Sequence, residues 1–222
     1  MLGRTHALTG AAVCAGIAAV TTHPGPGPVV AASLVTAGAA VLPDIDHKDS
    51  TVSQSFGFAT RGFAWLVAKA SGGHRHGTHS LAGIAAFAAA AALATVFRGA
   101  LPGEAAFVAL MTVVLAGGLR ALRLGGHLAD GAALAAAFVT ARTGYDAAMF
   151  PWLAGLGAAA HIAGDMLTVS GCPLAWPVSQ RRCWLVPAWA RLRTGHRAER
   201  WLITPVLAVA VMGLILIVPA MD

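Results

Sequence analysis

Seven long apolar runs constrain what this chain can fold into more than any other feature. They fall at about 7–22, 28–43, 77–97, 104–119, 128–141, 147–170 and 201–219. A helix needs about 20 apolar residues to cross a bilayer, so several of these runs are marginal in length. The many alanine and glycine residues allow helices to pack closely within a membrane. The runs therefore predict an all-α integral membrane bundle with about six to seven membrane-embedded helices.

Composition supports the membrane class. Only 11% of the 222 residues are charged, whereas a soluble domain carries about 25%. No repeat, low-complexity tail or linker interrupts the chain, so residues 1–222 are predicted to form a single domain.

The stretch from about Ser55 to Ala70 differs from the seven runs because it mixes aromatic residues with basic ones. Its large and basic side chains are Phe56, Phe58, Arg61, Phe63, Trp65, Leu66 and Lys69. Such a mixture is typical of an amphipathic helix that lies in the membrane interface. We expect this helix on the inner face.

The basic residues predict the orientation of the bundle. If the runs alternate across the membrane from an inside N-terminus, only Arg98 and Arg142 of the 15 Lys and Arg residues fall outside. An excess of basic residues marks cytoplasmic loops. The N-terminus and the candidate site are therefore predicted on the cytoplasmic side of the inner membrane. The net charge of +6 is read as loop charge facing lipid, and no nucleic-acid partner is expected.

The first chemical motif is Leu42-Pro43-Asp44-Ile45-Asp46-His47, which follows the second run. Two carboxylates close together in an apolar setting repel each other, and a divalent cation removes that repulsion. The alternative is a solvated loop at a helix end, where aspartate is common.

The second motif, His74-Arg75-His76-Gly77-Thr78-His79-Ser80, opens the third run. Three imidazoles beside an arginine are unfavourable if all are protonated, whereas neutral imidazole binds metal. We predict that Gly77 and Thr78 begin a helix whose free N–H groups attract an anion. Arg75 would complete a cradle for phosphate or carboxylate. A histidine-rich surface turn is the alternative.

The third motif is the pair His161 and Asp165 in the sixth run. Residues four apart share one face of a helix, so this pair can hold one ion. Ionisable residues inside a membrane helix indicate a functional site, although a buried hydrogen bond between two helices is the structural alternative. His6 falls on the same predicted side. His127 does too, with a purely interfacial role as its alternative.

Five motifs thus follow one another along the chain: Thr5-His6; Leu42-Pro43-Asp44-Ile45-Asp46; His74-Arg75 with Thr78-His79-Ser80; His161-x-x-x-Asp165; and Gly171 with Leu174-x-Trp176-Pro177. In this combination the chain resembles the bacterial membrane-bound metal-dependent hydrolases, some of which are described as LexA-regulated inner-membrane hydrolases. The resemblance runs from the N-terminus to about Pro177. It departs at His76, where it implies a small residue. The ligand order is more distantly similar to that of zinc-dependent phospholipase C, a fold-level analogy.

These observations predict hydrolysis of a phosphoester by metal-activated water. The predicted metal ligands are His6, Asp44, Asp46, His74, His79, His161 and Asp165, with His47, His76 and His127 as further candidates. Two clusters of nitrogen and oxygen donors are too many for one tetrahedral ion and indicate two or more divalent ions. Zinc suits such donors best, with manganese or iron as alternatives.

Catalysis is assigned to Asp46, Arg75 and His79. Substrate binding is assigned to Arg75, Thr78, Ser80 and Trp176. Because the ligands lie below the membrane interface, we expect a lipid-borne or phosphorylated small substrate.

Two other classes of function remain open. A transporter or proton-coupled channel could use the His and Asp residues as a relay, but the chain has no inverted repeat. A non-enzymatic membrane scaffold could use metal only to fold.

Overall fold

The computed structural model of the chain describes residues 1–21, 25–99, 101–143 and 147–217. Its α-helices, in chain order, are α1 (Gly3–Thr21), α2 (Pro26–Ala39), α3 (Gly57–Ala70), α4 (Leu81–Val96), α5 (Leu101–Ala121), α6 (His127–Thr143), α7 (Met149–Met166) and α8 (Thr204–Ile217). The described residues form no regular strand, so the all-α prediction is confirmed.

Every predicted apolar run corresponds to one helix, and the predicted interfacial stretch corresponds to α3. Within the described residues, four helical segments are long and apolar enough to cross a membrane. They are Pro26–Asp46, Leu81–Gly99, Leu101–Ala121 and Glu199–Ile217. The chain is therefore a membrane helical bundle.

Helix α2 lies at the centre of this bundle because small residues let its neighbours approach closely. A methyl group on Gly10 of α1 would come within 2.7 Å of both the Ala40 Cβ and the Thr36 carbonyl oxygen. One on Gly157 of α7 would come within 2.5 Å of the Ala39 Cβ. Only glycine permits such backbone contact between membrane helices. The close contacts lie directly before the Asp44 motif and fix its position.

The chain leaves α2 through a short 3-10 helix, Leu42–Asp46. Pro43 lacks a backbone N–H and disfavours a helical conformation in the residue before it, so the α-helix ends earlier, at Ala39. This turn carries both aspartates to the end of the bundle.

The segment between α7 and α8 is irregular. Two isolated β-bridges connect parts of this segment through backbone hydrogen bonds: Thr168 pairs with Leu192, and Cys172 pairs with Cys183. The Leu81 N–H also donates to the Leu174 carbonyl oxygen at 3.1 Å, which joins this segment to the start of α4.

Candidate metal centre

Histidine and aspartate side chains from four parts of the chain meet at one end of the bundle. His6 comes from the first turns of α1, and the two aspartates come from the 3-10 helix after α2. His79 ends the short 3-10 turn Gly77–His79 before α4, and the pair His161 and Asp165 comes from the last turns of α7.

Four donor atoms in this cluster converge on one point. The Nε2 atoms of His79 and His161 are 3.2 Å apart. Asp44 Oδ1 lies 3.6 Å from the first and 3.7 Å from the second. Asp165 Oδ2 lies 3.8 Å from His79 Nε2 and 4.0 Å from His161 Nε2. Two donors bound to one tetrahedral zinc ion are separated by roughly 3.3 Å, so the spacing fits a metal site.

The partners of the other ring nitrogens fix which atoms face this point. His161 Nδ1 lies 2.7 Å from the Ala40 carbonyl oxygen, which can only accept, so Nδ1 carries the hydrogen. Thr78 Oγ1 donates to Asp46 Oδ2 at 2.6 Å and therefore accepts from His79 Nδ1 at 2.9 Å. In this tautomer both Nε2 atoms present lone pairs to each other. A backbone or carboxylate partner on the far nitrogen is typical of metal-binding histidines.

His6 and Asp165 extend the cluster away from Asp44. The His6 ring stacks on the His161 ring at a centroid distance of 3.7 Å, and its Nε2 lies 3.3 Å from Asp165 Oδ1. The Met1 amino group forms an ion pair with the same oxygen. In the part of the chain that the structure describes, His6 Nδ1 and Asp165 Oδ2 are buried and form no hydrogen bond, although Oδ2 lies 3.3 Å from Arg75 Nη2. Buried polar atoms normally form one, so these two atoms retain unused capacity to bind a ligand.

Asp46 occupies a different position from Asp44, because hydrogen bonds hold both of its oxygens. Oδ1 lies 2.8 Å from His74 Nδ1, and Oδ2 accepts from the Arg75 N–H at 3.0 Å as well as from Thr78. Its side chain is fully buried, whereas 22% of the Asp44 side chain is exposed. Asp46 therefore organises the loop that carries His79.

Arg75 reaches from this loop into the cluster. Its backbone has a φ of 61°, in the left-handed region that non-glycine residues rarely adopt. Its Nη2 lies 3.3 Å from Asp165 Oδ2, and 17% of its side chain is exposed. The guanidinium is thus placed between the cluster and solvent, where it can meet an anion.

Electrostatics favour a positive charge at His79. Burial by itself lowers the pKa of this imidazole, but the carboxylates of Asp44 and Asp46, each 3.6 Å from one of its ring nitrogens, raise the pKa to about 9. A proton and a metal cation are alternative ways to neutralise two carboxylates, so cation binding displaces this proton.

The remaining predicted residues lie around the edge. The His74 side chain is 35% exposed, and the His47 ring packs edge-on against it at 4.7 Å. His76 Nδ1 bonds to the His74 carbonyl oxygen at 3.1 Å, within its own loop. His127 is exposed at the start of α6, and no described contact joins it to the cluster.

The predicted helix start at Gly77 and Thr78 is wrong. Helix α4 begins at Leu81, and the Ser80 hydroxyl caps it by accepting from the Gly83 N–H at 3.2 Å. Ser80 thus has a structural contact, which competes with a role in substrate binding. Trp176 packs over the same loop, since a methyl group on Gly77 would come within 2.9 Å of its ring.

Two adjoining groups within the cluster could each hold a metal ion. One comprises His6, His161 and Asp165, and the other comprises Asp44, His74 and His79. The donor atoms within each group lie within 4.8 Å of one another. These buried and half-buried His and Asp residues are thus placed so that they could hold a metal ion.

A family model matches residues 1–221 of the chain. The chain belongs to the YdjM inner membrane protein family. This membership confirms the predicted inner-membrane location and names no activity. No curated protein and no solved structure matches the chain.

Sequence reasoning missed two hydrogen-bonding groups in this YdjM family member. The Ala40 carbonyl oxygen orients His161, and a backbone atom leaves no signal in the sequence. Glu199 is buried, and its two oxygens accept from the Leu2 and Gly195 N–H groups at 2.6 Å each. The sequence did contain a signal for this residue, because Glu199 is the sole acidic residue between 181 and 200.

Proposed function

We propose that this YdjM family protein is a membrane-embedded, metal-dependent hydrolase that cleaves the phosphoester of a lipid or lipid-linked substrate. The observation that carries the proposal is the pair of facing Nε2 atoms, His79 and His161, flanked by Asp44 and Asp165. The two Nε2 atoms are 3.2 Å apart, and these four donors lie close enough together to bind metal cations in place of the proton that is favoured at His79.

The proposed centre holds two divalent ions, with zinc the best fit to mixed nitrogen and oxygen donors. Ligands come from the two groups around His161 and His79. A divalent ion supplies Lewis acidity, which neutralises phosphate charge and acidifies water enough to yield a nucleophile near neutral pH.

The chain's own residues supply positioning and charge. Asp44 is the most exposed carboxylate of the cluster and lies where substrate enters. Arg75 is placed to bind a phosphate oxygen and to stabilise the charge that develops in the transition state. Asp46 holds His74, Thr78 and the Arg75 backbone, so its role is to position His79 and Arg75 through hydrogen bonds.

An apolar groove beside the centre supports a lipid substrate. The groove has a volume of about 1270 Å³ and lies between α3, α4, α5 and α7. Gly77, Thr78 and Trp176 close its end next to the metal centre, and Phe63 of α3 lines its side. Apolar clefts with a few polar groups at one end suit an amphiphile. A headgroup at the metals would leave its acyl chain in this groove.

A structural metal site is the second candidate. The His79, His161 and Asp165 side chains are at most 1% exposed, and closed sites of this kind are typical of structural zinc. The 22% exposure of Asp44 and the groove that ends at Thr78 favour the enzyme.

Turnover on matched substrates tests the proposal. Zinc-loaded protein should cleave phosphatidylglycerol in detergent micelles faster than a water-soluble phosphodiester, and Asp44→Asn should remove both activities. Equal rates on the two substrates would eliminate the lipid preference. A folded, metal-loaded protein that cleaves no phosphoester would leave the structural site as the better account.

The proposed topology places the loop between Asp44 and His79 in the cytoplasm. A cysteine at Ser50, in a background without native cysteines, should resist membrane-impermeant thiol reagents added to intact cells. Ready labelling from outside would invert the topology.

A further inference from the structure

Besides the apolar groove the structure has a polar cavity, and none of the residues proposed above as metal ligands lines it. Its volume is about 560 Å³. The polar and aromatic side chains around it are Arg4, Thr51, Arg120, Arg123, Arg200 and Trp201, which come from α1, the loop after α2, the end of α5 and the start of the last span. We call this set the arginine pocket.

The arginine pocket holds more positive charge than its surroundings neutralise. Arg120 pairs with Asp130 at 2.9 Å. Among the described residues, Arg4, Arg123 and Arg200 form no ion pair with a carboxylate. Glu199 is adjacent in sequence to Arg200, but both of its oxygens accept backbone N–H groups. Arg4 Nε is buried and has no hydrogen-bond partner within residues 1–21, 25–99, 101–143 and 147–217. An unpaired guanidinium with a free donor is a binding group for phosphate.

The backbone at Arg123 places an arginine at a helix end where glycine is usual. The Leu124 N–H donates to the Leu119 carbonyl oxygen at 2.9 Å, and the Arg123 N–H donates to the Arg120 carbonyl oxygen at 3.0 Å. This is the Schellman pattern that ends a helix, in which the residue at the Arg123 position is usually glycine. Arg123 adopts the required left-handed conformation, with φ 66°. Of the described non-glycine residues, only Arg75, at the metal centre, shares a positive φ.

The position of the pocket relates it to the membrane surface. Arg120 lies in the last turn of the span Leu101–Ala121, and Trp201 lies in the first turn of the span Glu199–Ile217. Trp201 is 81% exposed. Tryptophan and arginine at the ends of spans lie at the level of lipid headgroups, and basic pockets between helices bind anionic ones.

We propose that the arginine pocket binds the phosphate group of an anionic lipid at the membrane surface. The Arg4, Arg123 and Arg200 guanidinium groups contact the phosphate, the Thr51 hydroxyl contributes a hydrogen bond, and Trp201 packs against the glycerol region. The proposal is independent of any activity at the metal centre. Free phosphate offers the same chemistry, so the test separates the two sources.

Binding of short-chain phosphatidylglycerol to the detergent-solubilised full chain tests the proposal. Wild-type protein should bind it at least about tenfold more tightly than short-chain phosphatidylcholine, which is zwitterionic, and inorganic phosphate should compete weakly. Arg200→Gln should lower the affinity about fivefold, the contribution of one basic residue near a membrane surface. Arg197→Gln, the matched control three residues away and outside the pocket, should not.

Arg123→Gly separates binding from folding. Glycine adopts the left-handed conformation without strain, so this variant should unfold at a temperature equal to or higher than wild type while its lipid affinity falls about fivefold. A lower unfolding temperature with unchanged affinity would overturn the assignment of Arg123. Equal losses of lipid affinity in Arg197→Gln and Arg200→Gln would show that general surface charge, and not the arginine pocket, attracts the lipid. Inorganic phosphate binding as tightly as the lipid would overturn the lipid as ligand.

Discussion

The two sides of the metal centre are packed very differently. The span Pro26–Asp46 carries both aspartates, and 67% of an apolar 18-residue stretch within it is buried. In the span Leu81–Gly99 only 17% of the corresponding stretch is buried. Glycines from α1 and α7 bring backbone against backbone around α2. Helix α4 instead borders the open groove. The difference teaches that the bundle fixes its aspartates by close packing on one side and leaves an apolar groove on the other, where the proposed lipid substrate would lie.

The tight side should be intolerant of even one added methyl group. Gly157→Ala would bring a Cβ within 2.5 Å of the Ala39 Cβ and 2.7 Å of the Thr36 carbonyl oxygen. Overpacking of this kind lowers the free energy of unfolding by about 1–3 kcal/mol. Because α2 is displaced, the protein should also hold less metal. Gly155→Ala, one half-turn away, meets its nearest neighbour at 3.4 Å and serves as the control. Thermal unfolding in detergent with metal analysis measures both effects, and equal responses would contradict the close contact at α2.

The loop that joins the two sides should depend on Asp46. Asp46→Asn keeps the size of the side chain but loses the negative charge that accepts from Thr78, Arg75 and His74. Loss of such supporting contacts lowers metal affinity or activity by about 10- to 100-fold. Asp49→Asn, at an exposed position of the same loop, should change neither quantity. If Asp46→Asn retained wild-type metal affinity and turnover, Asp46 would have no positioning role.

The open side should show the smallest effect, confined to lipid substrates. Phe63 lines the groove, whereas Trp65, on the same helix, does not. Phe63→Ser should slow cleavage of micellar lipid by about tenfold through lost apolar contact, and leave cleavage of a soluble phosphodiester and the stability nearly unchanged. Trp65→Ser is the matched control, since its exposed ring packs against Lys69. An equal loss of lipid cleavage in both variants would show that the groove does not bind the lipid.

Much of this architecture can be predicted from the sequence. Apolar runs mark the helices, and aromatic residues mixed with basic ones mark α3, which begins at Gly57 within the predicted stretch. The meeting of His6, Asp44, His79 and His161 also follows, because alternating helices return these motifs to one end. Each of these signals is local or repeats with the period of a helix.

The rest depends on contacts that no local pattern encodes. The tautomer of His161 is set by the Ala40 carbonyl oxygen, 121 residues away in sequence. The distinction between Asp44 and Asp46, two residues apart, arises from which of them Thr78 and His74 reach. The arginine pocket assembles side chains from separate segments, so their charges appear in the sequence only as an excess of basic residues.

The number and position of bound metal ions test the central claim most directly. Protein purified without chelators and supplied with zinc should hold two ions per chain by elemental analysis. Anomalous scattering should place them within the two groups around His161 and His79. His161→Ala should lose at least one ion, whereas His127→Ala, at an exposed position outside the cluster, should keep both. Folded protein that binds no metal, or an equal loss in the two variants, would contradict the account.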